Sequence, residues 1–117
     1  MAGCCSIQFV IEGDGGVYPC DFYVLDQWCL GTIGQNSFAE MQAGSAAEAF
    51  VKVSRRIPDT CKHCEGYALC RNGCRRDRIV LPDGCIDQNY YCKAYRRFFS
   101  ERGRALAAAL HLILRLR

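Results

Sequence analysis

A chain of 117 residues has room for one modest domain, and its 15 Lys and Arg against 12 Asp and Glu leave a net charge of only +3. That excess lacks the concentrated basic stripe of a nucleic-acid surface, so a nucleic-acid partner is not expected. Ten cysteines are the outlying feature, and they demand either a disulfide-stapled domain or metal sites.

The first residues, MAGCCSIQFVIEGDGG, lack the basic start, apolar run and cleavage site of a signal peptide. The expectation is a cytoplasmic protein with reduced thiols, in which clustered cysteines read as metal ligands. Residues 6–12, SIQFVIE, alternate with Ile7, Phe9 and Ile11 on one face, the pattern of a half-buried strand. Asp14-Gly15 supplies a tight turn, and VYPCDFYV returns as a second strand. Pro19 cannot donate to a ladder, which places Cys20 at a strand end or edge and brings it back toward Cys5.

Helical patterning follows. Ser37 with Glu40, and Ser45 with Glu48, each predict a capping box, and Pro58 ends the second helix. The cysteine-dense segment beyond it has many Gly and no period, and reads as loop. LPDG, residues 81–84, is a turn. A long helix is predicted from about Gln88, with Cys92, Tyr95 and Phe99 on one inward face. Gly103 is expected to break or kink it before the apolar stretch over residues 105–114, which is shorter than the ~20 residues of a membrane span. The predicted fold is α+β: a small irregular domain with an N-terminal β-hairpin, short helices and a long C-terminal helix. Its division is a domain over residues 1–104 and an apolar helical tail over residues 105–117, packed on a core or on a partner domain.

The block CKHCEGYALCRNGC spaces its thiols C-x2-C-x5-C-x3-C, from Cys61 through Cys64 and Cys70 to Cys74, with Cys92 further on. A structural zinc site usually draws on two C-x2-C pairs, and only one is present. Two short spacers and a distant last cysteine suit a cuboidal iron–sulfur cluster; zinc and disulfides stay open as alternatives. Arg71, Arg75, Arg76 and Arg78 crowd around Cys70 and Cys74. They form either a counter-charge to an anionic cluster or a solvated basic face.

The runs QFVIEGDGGVYPCDFYVLDQWCLGTI, CKHCEGYALCRNGCRRDR and NYYCKAYRRFF closely resemble the SPASM (auxiliary iron–sulfur) region of anaerobic sulfatase-maturating enzymes of the radical S-adenosylmethionine superfamily. The resemblance covers about residues 5–99. It implies two 4Fe–4S clusters, the second held by Cys61, Cys64, Cys70 and Cys92, the first by Cys5, Cys20 and Cys74. Cys74 would thus cross from the dense motif to the first cluster. The family takes a fourth ligand for that cluster from a cysteine before Cys5; here only Cys4 precedes it, and neighbouring residues point apart in a strand.

The C-x3-C-x2-C motif that binds the S-adenosylmethionine-cleaving cluster is absent, so the resemblance implies a separate barrel domain as partner. This chain would not be catalytically competent alone. Asp21 matches the family's proposed catalytic base, with a turn cap as the plainer reading. Tyr23, Asp26 and Trp28 are candidates to line the substrate pocket. Cys4, Cys29 and Cys85 read as free thiols, and His63 and His111 as bystanders. The implied role lies within an anaerobic oxidoreductase: electron transfer and peptide binding during oxidation of a sulfatase Cys or Ser to formylglycine. The alternatives are a stand-alone SPASM binding or electron-transfer module serving another radical enzyme and peptide, or a structural zinc domain.

Overall fold

Glu12 and Gly16 close the first turn: the Glu12 amide donates to the Gly16 carbonyl at 2.9 Å, and Gly15 takes φ +88°, a conformation that favours glycine. The computed structural model describes residues 2–115. Flanking the turn, strand β1 (Val10–Ile11) pairs antiparallel with β2 (Gly16–Tyr18), Val10 facing Tyr18. A third strand, β3 (Gly31–Thr32), pairs with the other edge of β2, so the predicted hairpin is part of a three-stranded sheet. The first strand is shorter than its alternation predicts. Phe9 sits at φ +53°, which breaks the extended run, and its ring meets Phe38 edge-on at 5.0 Å. Pairing resumes beyond it, where the Gln8 amide donates to the Pro19 carbonyl at 2.9 Å. That bond carries the Cys5 segment alongside Cys20.

Helix α1 (Phe38–Ala43) opens on the predicted capping box: the Ser37 hydroxyl accepts from the Glu40 amide at 3.2 Å, and the Glu40 carboxylate accepts from the Ser37 amide at 2.7 Å. Helix α2 (Ser45–Ser54) does not use the second predicted box. Gly44 is its N-cap, because the chain turns out of α1 one residue too early for Ser45 to stand outside the helix. Met41, Ala47 and Phe50 from these two helices join Val17 and Tyr18 of the sheet in one apolar core.

The cysteine-dense segment, read as loop, contains two short helices, α3 (Asp59–Lys62) and α4 (Tyr67–Cys70), and a 3-10 turn at Arg75–Asp77. Pro58 stands at the N-cap of α3, four residues after α2 has already ended at Ser54. The LPDG turn joins an unpredicted antiparallel pair, β4 (Arg78–Val80) and β5 (Ile86–Asn89). Gln88 therefore lies in a strand, and the long helix α5 begins at Cys92, running to Arg115 and straight through Gly103. Residues 105–115 continue the same helix; Leu116 and Arg117 lie outside the described residues. Among the described residues of this stretch, Leu106, Leu110 and Leu112 are exposed. No helix among the described residues is long and apolar enough to cross a membrane.

Candidate functional site

Between Cys70 and Cys74 three successive residues take the left-handed conformation: Arg71 at φ +48°, Asn72 at +63° and Gly73 at +59°. Asn and Gly adopt this region most readily, and Arg71 bears the larger steric cost. Buried Asn72 locks the turn. Its side-chain oxygen accepts from the Asn89 amide at 2.8 Å, and its side-chain nitrogen donates to the Asp87 carbonyl at 3.1 Å. The effect is to reverse the chain so that Cys70 and Cys74 face different places.

Cys70 faces a cavity of about 210 Å³, whose wall also holds Cys61, Cys64 and Cys92. Cys61 comes from α3, Cys70 ends α4, and Cys92 starts α5. Tyr95 and Phe99, one and two turns after Cys92, line the same cavity, as the shared helical face predicts. Burial pushes the Cys61 thiol up, with the thiols of Cys92, Cys70 and Cys64 adding to the rise and a hydrogen bond from Thr60 opposing it. Burial also raises Cys92, again with Cys70 and Cys64 adding, while Arg96 and a hydrogen bond from Gln88 oppose. The Gln88 amide nitrogen lies 2.8 Å from the Cys92 sulfur.

Cys74 instead stands at the N-cap of the 3-10 turn Arg75–Asp77, on the side of Cys5 and Cys20. The Cys5 amide donates to the Ser54 hydroxyl at 2.8 Å, which ties the N-terminal segment to the end of α2. Burial raises the Cys5 thiol; Ser54 and Arg75 oppose, Cys74 adds, and Arg78 opposes. Burial likewise raises Cys20, with Asp21 and then Cys5 among the lesser causes that add to it. Tyr23 feels all three of these thiols. Four thiols thus share one cavity wall, and Cys20 and Cys74 each lie within electrostatic reach of Cys5.

Asp21 opens a 3-10 turn (Asp21–Tyr23) and is exposed. Its carboxylate accepts from the Cys20 thiol at 3.3 Å and receives no backbone hydrogen bond among the described residues, so it does not cap the turn. Tyr23 and Trp28 pack edge-on against Phe50, at 5.2 and 5.3 Å, and are parts of the core wall. Asp26 is exposed at the head of a second 3-10 turn. All ten cysteines are free of disulfides, so Cys4, Cys29 and Cys85 are not set apart from the others by their bonding.

The arginines divide. Arg71 and Arg76 are exposed, Arg76 lying 4.0 Å over the Phe22 ring and pairing with Asp77 at 3.4 Å. Arg75 and Arg78 are buried, and neither is paired with a carboxylate among the described residues. Sequence reasoning missed this division and the Asn72 lock; the only local signal was the Arg-Asn-Gly spacer, two of whose residues tolerate positive φ.

The residue model of SPASM, an iron–sulfur cluster-binding domain, matches residues 4–65. The chain belongs to the SPASM family. This SPASM domain is 46% identical over 99 residues to the Cysteine-type anaerobic sulfatase-maturating enzyme of Clostridium perfringens, covering 85% of this chain and 27% of that protein. The Serine-type anaerobic sulfatase-maturating enzyme of Bacteroides thetaiotaomicron is 32% identical over 101 residues, covering 85% and 24%. In three dimensions the SPASM domain superposes on the structure of native anSMEcpe with bound AdoMet and Cp18Cys peptide with a TM-score of 0.92 at 42% identity, covering 97% of this chain and 31% of that one. The chain thus spans about 27% of the length of the curated Cysteine-type relative.

Do the residues suit iron–sulfur clusters? Among the described residues no three Cys, His, Asp or Glu side chains converge closely enough to hold a single metal ion. Thiols spread around the wall of a cavity suit a polynuclear core, and two buried cations beside the other thiols suit an anionic one. The donor sets fit.

Proposed function

We propose that this SPASM domain holds two 4Fe–4S clusters and acts as the auxiliary electron-transfer and peptide-holding domain of a radical S-adenosylmethionine sulfatase maturase. The observation that supports this reading is the left-handed turn at Arg71, Asn72 and Gly73, which separates Cys70, on the four-thiol cavity wall, from Cys74, within electrostatic reach of Cys5. Cys61, Cys64, Cys70 and Cys92 would hold one cluster. Cys5, Cys20 and Cys74 would hold the other, with its remaining position left to a further ligand. When bound, the clusters supply one-electron acceptors beside the peptide.

The chain's own residues do the rest. Burial keeps the ligand thiols of Cys5, Cys20, Cys61 and Cys92 protonated in the metal-free chain, so cluster loading displaces protons. Asp21, exposed beside Cys20, takes a proton from the substrate Cys or Ser as it is oxidised to formylglycine; its exposure and its place beside Cys20 support this role. S-adenosylmethionine and the radical chemistry belong to the partner barrel domain, and the substrate is a sulfatase peptide.

Anoxic reconstitution with iron and sulfide tests the first part. The expected result is at least ~4 irons per chain retained through the four-thiol set, plus a more labile second set. Stoichiometric zinc with little iron in protein from its native source would overturn the reading. In a complete enzyme carrying this domain, Asp21→Asn should leave cluster content and S-adenosylmethionine cleavage intact while formylglycine formation falls ~10²–10⁴-fold. A near-normal yield would remove Asp21 from the chemistry.

A further inference from the structure

Among the four arginines around Cys70 and Cys74, one has a donor left over. Arg75 is 8% exposed, and its guanidinium carbon lies 4.7 Å from each of the ring centres of Tyr23, Trp28 and Phe50. One terminal nitrogen donates to the Phe50 carbonyl at 3.1 Å. Its Nε is buried and has no hydrogen-bond partner. Native interiors seldom leave such a group unsatisfied, and each exception calls for an unseen acceptor. The three rings hold the cation in place and offset part of its desolvation, but they offer the in-plane N–H no acceptor.

Arg78 is the contrast. Its Nε donates to the Asn72 carbonyl at 3.0 Å, and its terminal nitrogens to Ser54, Gly3 and Gly73 carbonyls at 2.6, 2.8 and 2.9 Å. It clamps the N-terminal segment, the end of α2 and the Cys74 turn together with its hydrogen bonds already made. Arg71 donates through its own Nε to the Ala68 carbonyl at 3.3 Å, out in solvent. Arg75 directly follows Cys74, and it is hydrogen-bonded to the Phe50 carbonyl of α2, the helix whose last residue, Ser54, accepts from the Cys5 amide. The sulfur groups this brings to its side are those of Cys74 and Cys5.

We propose that Arg75 is the positioning and tuning residue of the first cluster: its caged guanidinium gives the Nε–H to a sulfur on the Cys5, Cys20 and Cys74 side, and raises that cluster's reduction potential. The inference rests on the two-cluster reading above. A hydrogen bond and a positive charge at the sulfur both favour the reduced, more negative state. The four-thiol set has its own donors, Gln88 toward Cys92 and Thr60 toward Cys61, and Arg96 stands on the same cavity wall, so the effect of Arg75 is read on the first cluster alone.

The test uses the full 117-residue chain, reconstituted under anoxia with a small thiol in the buffer to complete the first cluster's coordination. Protein labelled with nitrogen-15 only on arginine guanidinium groups is reduced and read by pulsed EPR. The expected result is a weak nitrogen coupling on the first cluster that disappears in Arg75→Lys. Redox titration of Arg75→Met should make the first cluster about tenfold harder to reduce, about 59 mV for one electron, and leave the second unmoved. If Arg75→Met does not fold, the coupling in the wild-type chain decides alone. A first-cluster signal without that coupling, or a first potential that Arg75→Met leaves in place, overturns the inference. A wild-type chain with no first-cluster signal refutes the two-cluster reading, and the inference with it.

Discussion

The two halves of this small domain are held by different physics. Up to the end of α2, five apolar side chains, Val17, Tyr18, Met41, Ala47 and Phe50, are buried. From α3 onward, among the described residues, only Cys61 and Ile86 join the buried hydrophobic set, while Asn72, Arg75, Arg78 and Asn89 are buried as polar groups. The first half can order itself by removing apolar surface from water. The second has too little such surface, and surrounds a thiol-lined cavity instead. Metal binding in such a segment is folding free energy. The Cys5, Cys20 and Cys74 set straddles the two halves, so it couples the self-sufficient part to the dependent one.

That contrast is open to attack by substitution. The largest effect is expected from Cys92→Ala. It should remove ~4 irons from the loaded protein. Amide exchange protection should then fall across β4, β5 and the start of α5, while β1, β2, α1 and α2 stay protected. Cys85→Ala should change neither; equal effects would show that the cysteines are wrongly assigned.

Phe50→Ala attacks the other half. A fully buried Phe lost from a core costs about 3–5 kcal/mol, which denaturant unfolding of the loaded protein will report. Iron at the four-thiol set should survive in whatever fraction stays folded. Loss of that iron in step with unfolding of the sheet would mean that the halves are one cooperative unit.

Asn72→Ala strikes the turn between the two cysteine sets. It orphans the Asn89 amide, at a cost of about 1–3 kcal/mol, and places a less tolerant residue at φ +63°. Asn72→Gly keeps the backbone freedom and loses only the hydrogen bonds, so its melting temperature should lie above that of the Ala variant. The reverse order would mean that the conformation of the turn matters less than its side-chain space.

The smallest effect belongs to Glu40 in the first half. Hydrogen bonds from the backbone and side chain of Ser37 hold its carboxyl below the usual 4.5. A carboxyl depressed on folding stabilises the folded state above its unfolded value, and that contribution is lost as pH falls through the folded one. Amide exchange at the start of α1 should therefore quicken below pH 4.5, and Glu40→Gln should flatten the dependence. A cluster-dependent change in that profile would show that α1 senses the second half after all.

Much of this was readable along the chain because it depends on neighbours. The Asp14-Gly15 turn, the Ser37–Glu40 box and the shared face of Cys92, Tyr95 and Phe99 follow from contacts within a few residues. The α+β class and the cysteine spacing were legible for the same reason. Short strands were not: β3 has two residues, and β4 and β5 gain their pairing only once the LPDG turn folds them together. The Ser45 box failed because α1 hands the chain directly to α2, and Gln88 became a strand because β4 offered it a partner. The arginines show the limit most clearly. In sequence Arg71, Arg75, Arg76 and Arg78 are four alike. Arg78 is buried because carbonyls 24 and 75 residues away accept from it, and Arg75 because rings from three separate elements close over it. A charge enters an interior only where distant groups have been assembled to receive it, and only the folded chain assembles them.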